Sequence, residues 1–252
     1  MNRTYLKWIL CLMIGTLLNC EKPTLEEKSP SHAKPVSHEL WGQLLKKYVS
    51  DEGKVNYSEL KKESAQLDQY LKLIQAAHPN ESWSINERKA YWINVYNAFT
   101  VKLILNHYPV KSIKDIGGTL SSPWDIRFIE IEGKSYNLNE LEHQILRPIF
   151  KDPRIHFAIN CASFSCPKLL NEAMIADKVE EQLTALGKSF VNDSKRNILS
   201  AEAIQISEIF KWFQEDFTQK GSLIDFLNQY SQTKISAEAK MTYLDYNWTL
   251  NE

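Results

Sequence analysis

Cys161 closes a run in which Ile155, Phe157, Ile159 and Cys161 alternate with His156, Ala158 and Asn160, and it opens the short loop Ala162-Ser163-Phe164-Ser165. Such period-two alternation predicts a core strand over 154–161, and the end of a strand is a favoured seat for a reactive group. A thiol acts as a nucleophile when a neighbour makes or stabilises its thiolate, most often a histidine. His156 lies five residues upstream on the same expected strand. That odd separation sends it to the opposite face, with roughly 16 Å of rise between the two. His143 lies on a preceding expected helix that the fold can bring over the strand end, so His143 is the preferred base. Glu142, beside it, points about 100° away around the helix.

Asn94 and Asn97 are the second unusual feature: two amides three residues apart, on one face of an otherwise apolar helix. Buried amides must be paired. They either anchor neighbouring backbone or offer N–H donors to a site, where they would stabilise an oxyanion. Asn160 and Asn192-Asp193 pose the same choice less sharply. Each candidate also has a plainer reading. Cys161 is then a small buried residue, His143 a partner within its own helix, and Cys161 with Cys166 a disulfide in an oxidising compartment. The spacing of these cysteines and histidines does not suit a structural zinc site. No metal and no cofactor is expected.

Several elements must position these residues. Leu40, Trp41, Leu44, Leu45 and Tyr48 predict an amphipathic helix over 38–49, and Leu60, Leu67, Leu71 and Ile74 another over 58–77, with Asp51-Glu52-Gly53 as the turn between them. Ser84 and Glu87 form a capping box for a helix that runs to about Tyr108 and is stopped by Pro109. That helix is apolar nearly all round and is expected at the centre. A hairpin over 127–131 and 134–138 turns at Glu132-Gly133, and Asn137 to Glu140 caps the short helix carrying His143. Further helices are expected over 176–190, 207–217 and 222–230, with a last strand over 242–250. The reading is a helix-rich α+β domain with a small central sheet, spanning residues 38–252.

The chain has 252 residues, with 30 Lys plus Arg against 31 Asp plus Glu, so nothing suggests a general electrostatic grip on nucleic acid. Hydrophobic residues at 43% and aromatics at 11% are ample for a packed core. Cys11 and Cys20 lie in a leader, which leaves Cys161 and Cys166 in the body; this is no disulfide scaffold. Residues 1–20 read as an export signal. Arg3 and Lys7 precede an apolar run, Trp8 to Leu18, too short to span a bilayer, which takes roughly 20 residues. Leu17-Leu18-Asn19-Cys20 resembles the bacterial lipobox, in which Cys20 would accept a diacylglycerol; Asn19 departs from the Gly, Ala or Ser favoured there. The competing reading is an ordinary secretory signal. Residues 21–37, with Pro23, Pro30 and Pro35, read as an extended tether. The expected location is therefore the cell envelope, with membrane contact through the N-terminal lipid, or secretion. Glu21, in place of an inner-membrane retention Asp, favours an outer-membrane address.

Four ordered motifs carry a resemblance. Tyr91-Trp92-Ile93-Asn94-Val95-Tyr96-Asn97-Ala98, Leu141-Glu142-His143-Gln144-Ile145-Leu146-Arg147, His156-Phe157-Ala158-Ile159-Asn160-Cys161-Ala162-Ser163 with Ser165-Cys166-Pro167, and Tyr243-Leu244-Asp245-Tyr246-Asn247-Trp248 look like the family known as domain of unknown function 547. The resemblance runs from about His38 onward. It implies that Asn94, Asn97, His143, Arg147, His156 and Cys161 occupy motif positions, and that Cys166 belongs to a pattern common in bacterial members and often replaced elsewhere. The order His then Cys also resembles circularly permuted papain-like hydrolases. The function expected is a thiol hydrolase acting on a peptide or amide bond of a small substrate, with Cys161 as nucleophile, His143 as base, and Asn94 or Asn97 at the oxyanion. The alternative is a non-catalytic envelope protein that binds a partner through the same fold.

Overall fold

Helix α4 (Ile85–His107) is the axis of the domain, and its sequence explains why. Ser84 Oγ accepts from the Glu87 N–H while the Glu87 carboxylate accepts from the Ser84 N–H, so the expected capping box forms. Every residue from Lys89 to Val101 is buried. A helix without a solvent face has no amphipathic stripe and must be wrapped on all sides. In this computed structural model, which describes residues 31–118 and 121–252, the wrapping comes from both flanks of the chain. The signal segment, Cys20 and the first part of the expected tether lie outside the described residues.

On one side stand α1 (Glu39–Tyr48), α2 (Tyr57–Lys62) and α3 (Ser64–Gln75). Trp41 of α1 stacks on Tyr70 of α3, with ring centroids 5.9 Å apart. The single helix expected over 58–77 is broken at Glu63, whose backbone N–H turns back to Leu60 O. The break lets Tyr57 and Leu60 face the core together with Leu67, Tyr70 and Ile74. Residues 31–37 carry no regular structure, yet Ala33 O accepts from Asn80 Nδ2 and Trp83 Nε1, at 2.9 and 2.8 Å. The described end of the expected tether is therefore pinned to the body.

The hairpin forms as β1 (Ile129–Ile131) and β2 (Lys134–Tyr136), pairing Ile129 with Tyr136. Glu132 and Gly133 both have positive φ, 45° and 76°, as a tight hairpin turn requires. From there the chain enters α5 (Leu138–Glu140), a π-helical stretch (Leu141–Leu146) and α6 (Arg147–Phe150). Pro148 lacks an N–H, and the Arg147 N–H reaches back five residues to Glu142 O, which widens the helix.

The strand expected over 154–161 is absent. Asp152 caps a 3-10 turn, Pro153–Phe157, and the chain then runs irregularly through Asn160. The alternation misled because Ile155 to Asn160 are all buried, polar members included, so no solvent face gives it meaning. Helix α7 (Val179–Val191) packs on this turn, with Phe190 against Phe157 at 5.4 Å. Gly187 permits that closeness, since a Cβ there would meet Tyr230 Cε1 at 2.9 Å.

The C-terminal part holds a three-stranded sheet in the order β3 (Ile198–Leu199), β4 (Ala203–Ser207), β5 (Lys240–Leu244). The first pair is antiparallel and the second parallel. Between β4 and β5 lie α8 (Ile209–Trp212), α9 (Gln214–Phe217) and α10 (Leu223–Asn228). The last strand starts earlier than expected and stops at Leu244, because the residues beyond it bond to the cysteine loop instead. Phe164 N donates to Thr249 O at 2.7 Å, and Asn251 N to Ala162 O at 3.2 Å. The architecture is α+β, helix-rich and one domain. Among the described residues no helix is long and apolar enough to cross a membrane.

Candidate functional site

The loop of residues 160–166 is fixed from three directions. Asn160 Oδ1 accepts from Ala162 N and its Nδ2 donates to Pro167 O, at 2.8 and 2.7 Å. Asn97 accepts from Asn160 N and donates to Ala158 O, both at 2.8 Å. Arg196 donates to Cys166 O and Phe164 O, at 2.8 and 2.6 Å. So held, Ala162 adopts a left-handed φ of 59°. A non-glycine residue there stores of order 1–2 kcal/mol that the surrounding bonds must offset.

This clamp aims Cys161 Sγ at Cys166 Sγ (2.8 Å), Ser163 Oγ (3.2 Å) and Tyr246 Oη (3.4 Å). Both cysteines are free thiols; Cys161 is half-buried and Cys166 buried. The Cys166 thiol, then Ser163 and Tyr246, stabilise the Cys161 thiolate and hold its pKa below the ordinary thiol value against the opposing effect of burial. Burial and the neighbouring Cys161 push Cys166 well above that value. The two sulfurs divide the roles: Cys161 ionises first and Cys166 stays a donor. Ser163 Oγ donates to Tyr246 Oη at 2.9 Å, so the hydroxyl proton of Ser163 is spent there, and the groups that donate to the Cys161 sulfur besides the Cys166 thiol are the Tyr246 O–H and the Ser163 backbone N–H.

Over Cys161 lies a cavity of about 200 Å³, lined also by Cys166, Tyr96, Glu142, His156, Phe213, Tyr246 and three tryptophans, Trp124, Trp212 and Trp248. His156 stacks on Phe213 with centroids 4.0 Å apart, and its Nε2 lies 2.7 Å from Asp216 Oδ2. Arg147 grips the same carboxylate through Nε and Nη2, at 2.6 and 3.2 Å. Burial works against the Asp216 charge, but bonds from His156 and Arg147 hold its pKa far below the carboxylate range. Burial lowers the pKa of His156, with Asp216 pulling the other way. A neutral His156 must then place its proton on Nε2, facing Asp216, and keep its lone pair on Nδ1. Nδ1 lies 3.9 Å from Glu142 Oε1.

Glu142 is 7% exposed, and among the described residues the one hydrogen-bond partner of its carboxylate is Tyr96 Oη, at 3.4 Å. Burial, reinforced by the charge on Cys161, pushes its pKa up to about 7, with Arg147 and Tyr96 opposing. The carboxyl therefore titrates near neutrality, inside the cavity.

The structure does not bring His143 to Cys161. His143 is exposed, does not line the cavity, and shares its Nδ1 with Arg147 Nη1 at 2.8 Å. Asn94 and Asn97 do not line it either. Asn94 donates to Met174 O and accepts from Met174 N, at 2.8 and 3.0 Å, so both amides are spent on backbone. The histidine that shares the cavity with Cys161 is His156, because the 3-10 turn replaces the strand that would have turned it away. Glu142, Asp216 and Trp212 were missed altogether as site residues. A signal for Glu142 was present: it stands four residues after Leu138 and three and four before Ile145 and Leu146, inside the apolar stripe where a carboxylate is out of place.

Fold and site together define a helix-rich α+β domain with a pair of thiols at the foot of an aromatic cavity. Residues 80–191 match the model of the family described as "Protein of unknown function, DUF547", which supports the resemblance drawn from the motifs. The matched span holds α4, the π-helix and both cysteines, while Asp216 and Tyr246 lie beyond it. No curated protein and no solved structure matches the chain.

Proposed function

We propose that this protein is a thiol hydrolase of papain-like logic, acting on a peptide or amide bond of a small substrate. The observation that carries the reading is the convergence on one cavity of a hydrogen-bonded Cys161 thiol and the His156–Asp216 pair. In the first half-reaction the Cys161 sulfur attacks the acyl carbon. The C–S bond forms, the C–N bond breaks, and the amine leaves with the thiol proton, passed on by His156 Nδ1. In the second half-reaction His156 takes a proton from water, the hydroxide attacks the thioester, and the acid departs as the thiol is restored. Asp216, fixed by Arg147, holds the imidazole in the required tautomer and stabilises its charged form. The Tyr246 O–H is the side-chain donor placed beside the sulfur to meet the oxyanion. His143, Asn94 and Asn97 have no part in this scheme.

The proposed setting is the bacterial cell envelope. The basic and apolar leader, the lipobox-like end at Cys20 and the proline-bearing segment after it support export and lipidation. Replacement Cys20→Ala should release the protein from the membrane fraction or block its processing, and an unmodified N-terminus on native protein would defeat the anchor.

The test of activity is acylation by a simple activated ester, p-nitrophenyl acetate. The expected result is a one-equivalent burst of nitrophenol with the acyl group on the Cys161 peptide. The burst should be absent in Cys161→Ala and slowed about 100-fold or more in His156→Gln. No acyl group on Cys161, or equal rates in the folded Cys161→Ala protein, would overturn the reading.

A further inference from the structure

The cavity over Cys161 has a one-sided charge inventory. Six aromatic rings wall it: Tyr96, Trp124, Trp212, Phe213, Tyr246 and Trp248. Among the described residues that line it there is no lysine and no arginine. Its ionisable members are Glu142, the two thiols, two tyrosines that burial keeps neutral, and His156, whose positive form burial disfavours. When this cavity charges, it becomes negative. The cations nearby are already engaged: Arg147 with Asp216 and His143, and Lys114 over the ring of Trp248 at 3.8 Å.

Glu142 is the member whose bonding is incomplete. It has one long bond from Tyr96, and its Oε1 stops 3.9 Å from His156 Nδ1. A buried carboxylate so poorly paired is costly, and a cation brought to it relieves the cost. The ring faces act in the same direction, because an aromatic face is electron-rich and attracts a desolvated cation. Tyr246 packs against Trp248 and Trp212 at 4.5 and 4.8 Å, forming a continuous aromatic wall, and Lys114 shows a cation resting on one of these rings. At about 200 Å³ the space suits a compact group and not a drug-sized molecule.

We infer that the cavity receives a protonated primary amine carried by the acyl part of the substrate, with Glu142 as its counter-ion and Trp212, Tyr246 and Trp248 as its walls. This rests on the hydrolase reading for the word substrate; the cation site itself does not. It assigns Glu142 to recognition and leaves proton transfer to His156, and it narrows the substrates to amides or esters of amino-bearing acids.

The test is binding of n-propylammonium, propionamide and propionate to the Cys161→Ala protein, which cannot be acylated, read by tryptophan fluorescence. Propylammonium should bind saturably and at least about tenfold more tightly than the other two. Glu142→Gln should remove that preference while leaving propionamide unchanged. Trp212→Leu, at a position 42% exposed and safe for folding, should weaken the ammonium several-fold. Equal binding of the ammonium and the amide, preference for propionate, or an ammonium affinity untouched by Glu142→Gln would each overturn the inference. The two claims fail separately. Ammonium binding without acylation of Cys161 by any ester sinks the hydrolase and keeps the cation site, whereas equal acylation by p-nitrophenyl esters with and without an amino group sinks the cation site alone.

Discussion

Two clusters of ionisable residues, one built on buried Lys89 and the other on buried Glu142 and His156, stand close together along this chain, and they are built to opposite specifications. In the first, Lys89 reaches Asp152 and Glu180 at 3.1 and 2.6 Å, and Arg154 bonds the same two carboxylates. Two cations meet two anions, and burial of Asp152 is outweighed by Arg154 and Lys89, which lower its pKa. In the second, His156 and Arg147 satisfy Asp216, but Glu142 is left with a single long bond and Cys161 with a thiol that ionises early. The first cluster fastens α4 to the turn at Pro153 and to α7. The second faces a cavity and leaves the Glu142 carboxylate nearly unpaired there. Complete pairing marks a fastener, and incomplete pairing beside a cavity marks a site.

The contrast is broken most severely by removing a member of the paired cluster. Lys89→Met strands Asp152 with Arg154 alone and should cost about 3 kcal/mol, measured by urea unfolding at neutral pH. Because the folded pKa of Asp152 is depressed, the stability it contributes is present above the usual carboxylate range and fades as pH falls through and below that range. In the wild type this appears as acid lability that the Lys89→Met protein partly lacks. A loss under about 0.5 kcal/mol would show that the cluster is a surface-like pair.

The unpaired cluster should answer with the opposite sign. Glu142 has a folded pKa of about 7 against an ordinary 4.5, so the folded state binds its proton more tightly than the unfolded chain. Stability attributable to this group therefore falls as pH rises from about 4.5 to about 7 and stays lost above. Replacement Glu142→Gln removes the penalty and should stabilise the protein by roughly 2 to 3 kcal/mol at pH 8, with no gain at pH 4. Destabilisation at pH 8 would mean that the carboxylate is paired and the contrast false.

A smaller loss is expected at the amide clamps. Asn97→Leu leaves Asn160 N and Ala158 O without their partners and should cost about 1 to 3 kcal/mol by denaturant titration, and Asn94→Leu a similar amount through Met174. A neutral result at either position would remove the structural role assigned to these amides.

The sequence read well where a signal is local and chemical. The Ser84–Glu87 and Asn137–Glu140 boxes, the stop at Pro109, the turn at Glu132-Gly133 and the all-round burial of α4 were legible because each follows from neighbours within a few residues. The site was legible only in part. Cys161 does open a loop, though no strand precedes it, and its surroundings come from distant chain: Asp216 and Tyr246 lie 60 residues from His156 and 85 from Cys161, respectively. His156 was set aside on strand geometry that a proline-led turn replaces, and in a wholly buried segment alternation carries no information about direction. His143 is the preferred base on the expectation that its helix lies over the strand end with Glu142 turned about 100° away, whereas the apolar stripe of that helix already points Glu142 inward. Strands β3 and β4 were too short to show a period.

If Cys161 is the activated thiol and Cys166 its donor, alkylation of the native protein by iodoacetamide across pH, resolved by peptide mass spectrometry, must tell the two sulfurs apart. Cys161 should be modified with a midpoint below the ordinary thiol value of about 8.5, and the buried Cys166 hardly at all. In Cys166→Ala the Cys161 midpoint should move upward, because the bond that most stabilises its thiolate is gone. Preferential labelling of Cys166, a Cys161 that titrates like a free cysteine, or a midpoint unmoved by Cys166→Ala would contradict these roles.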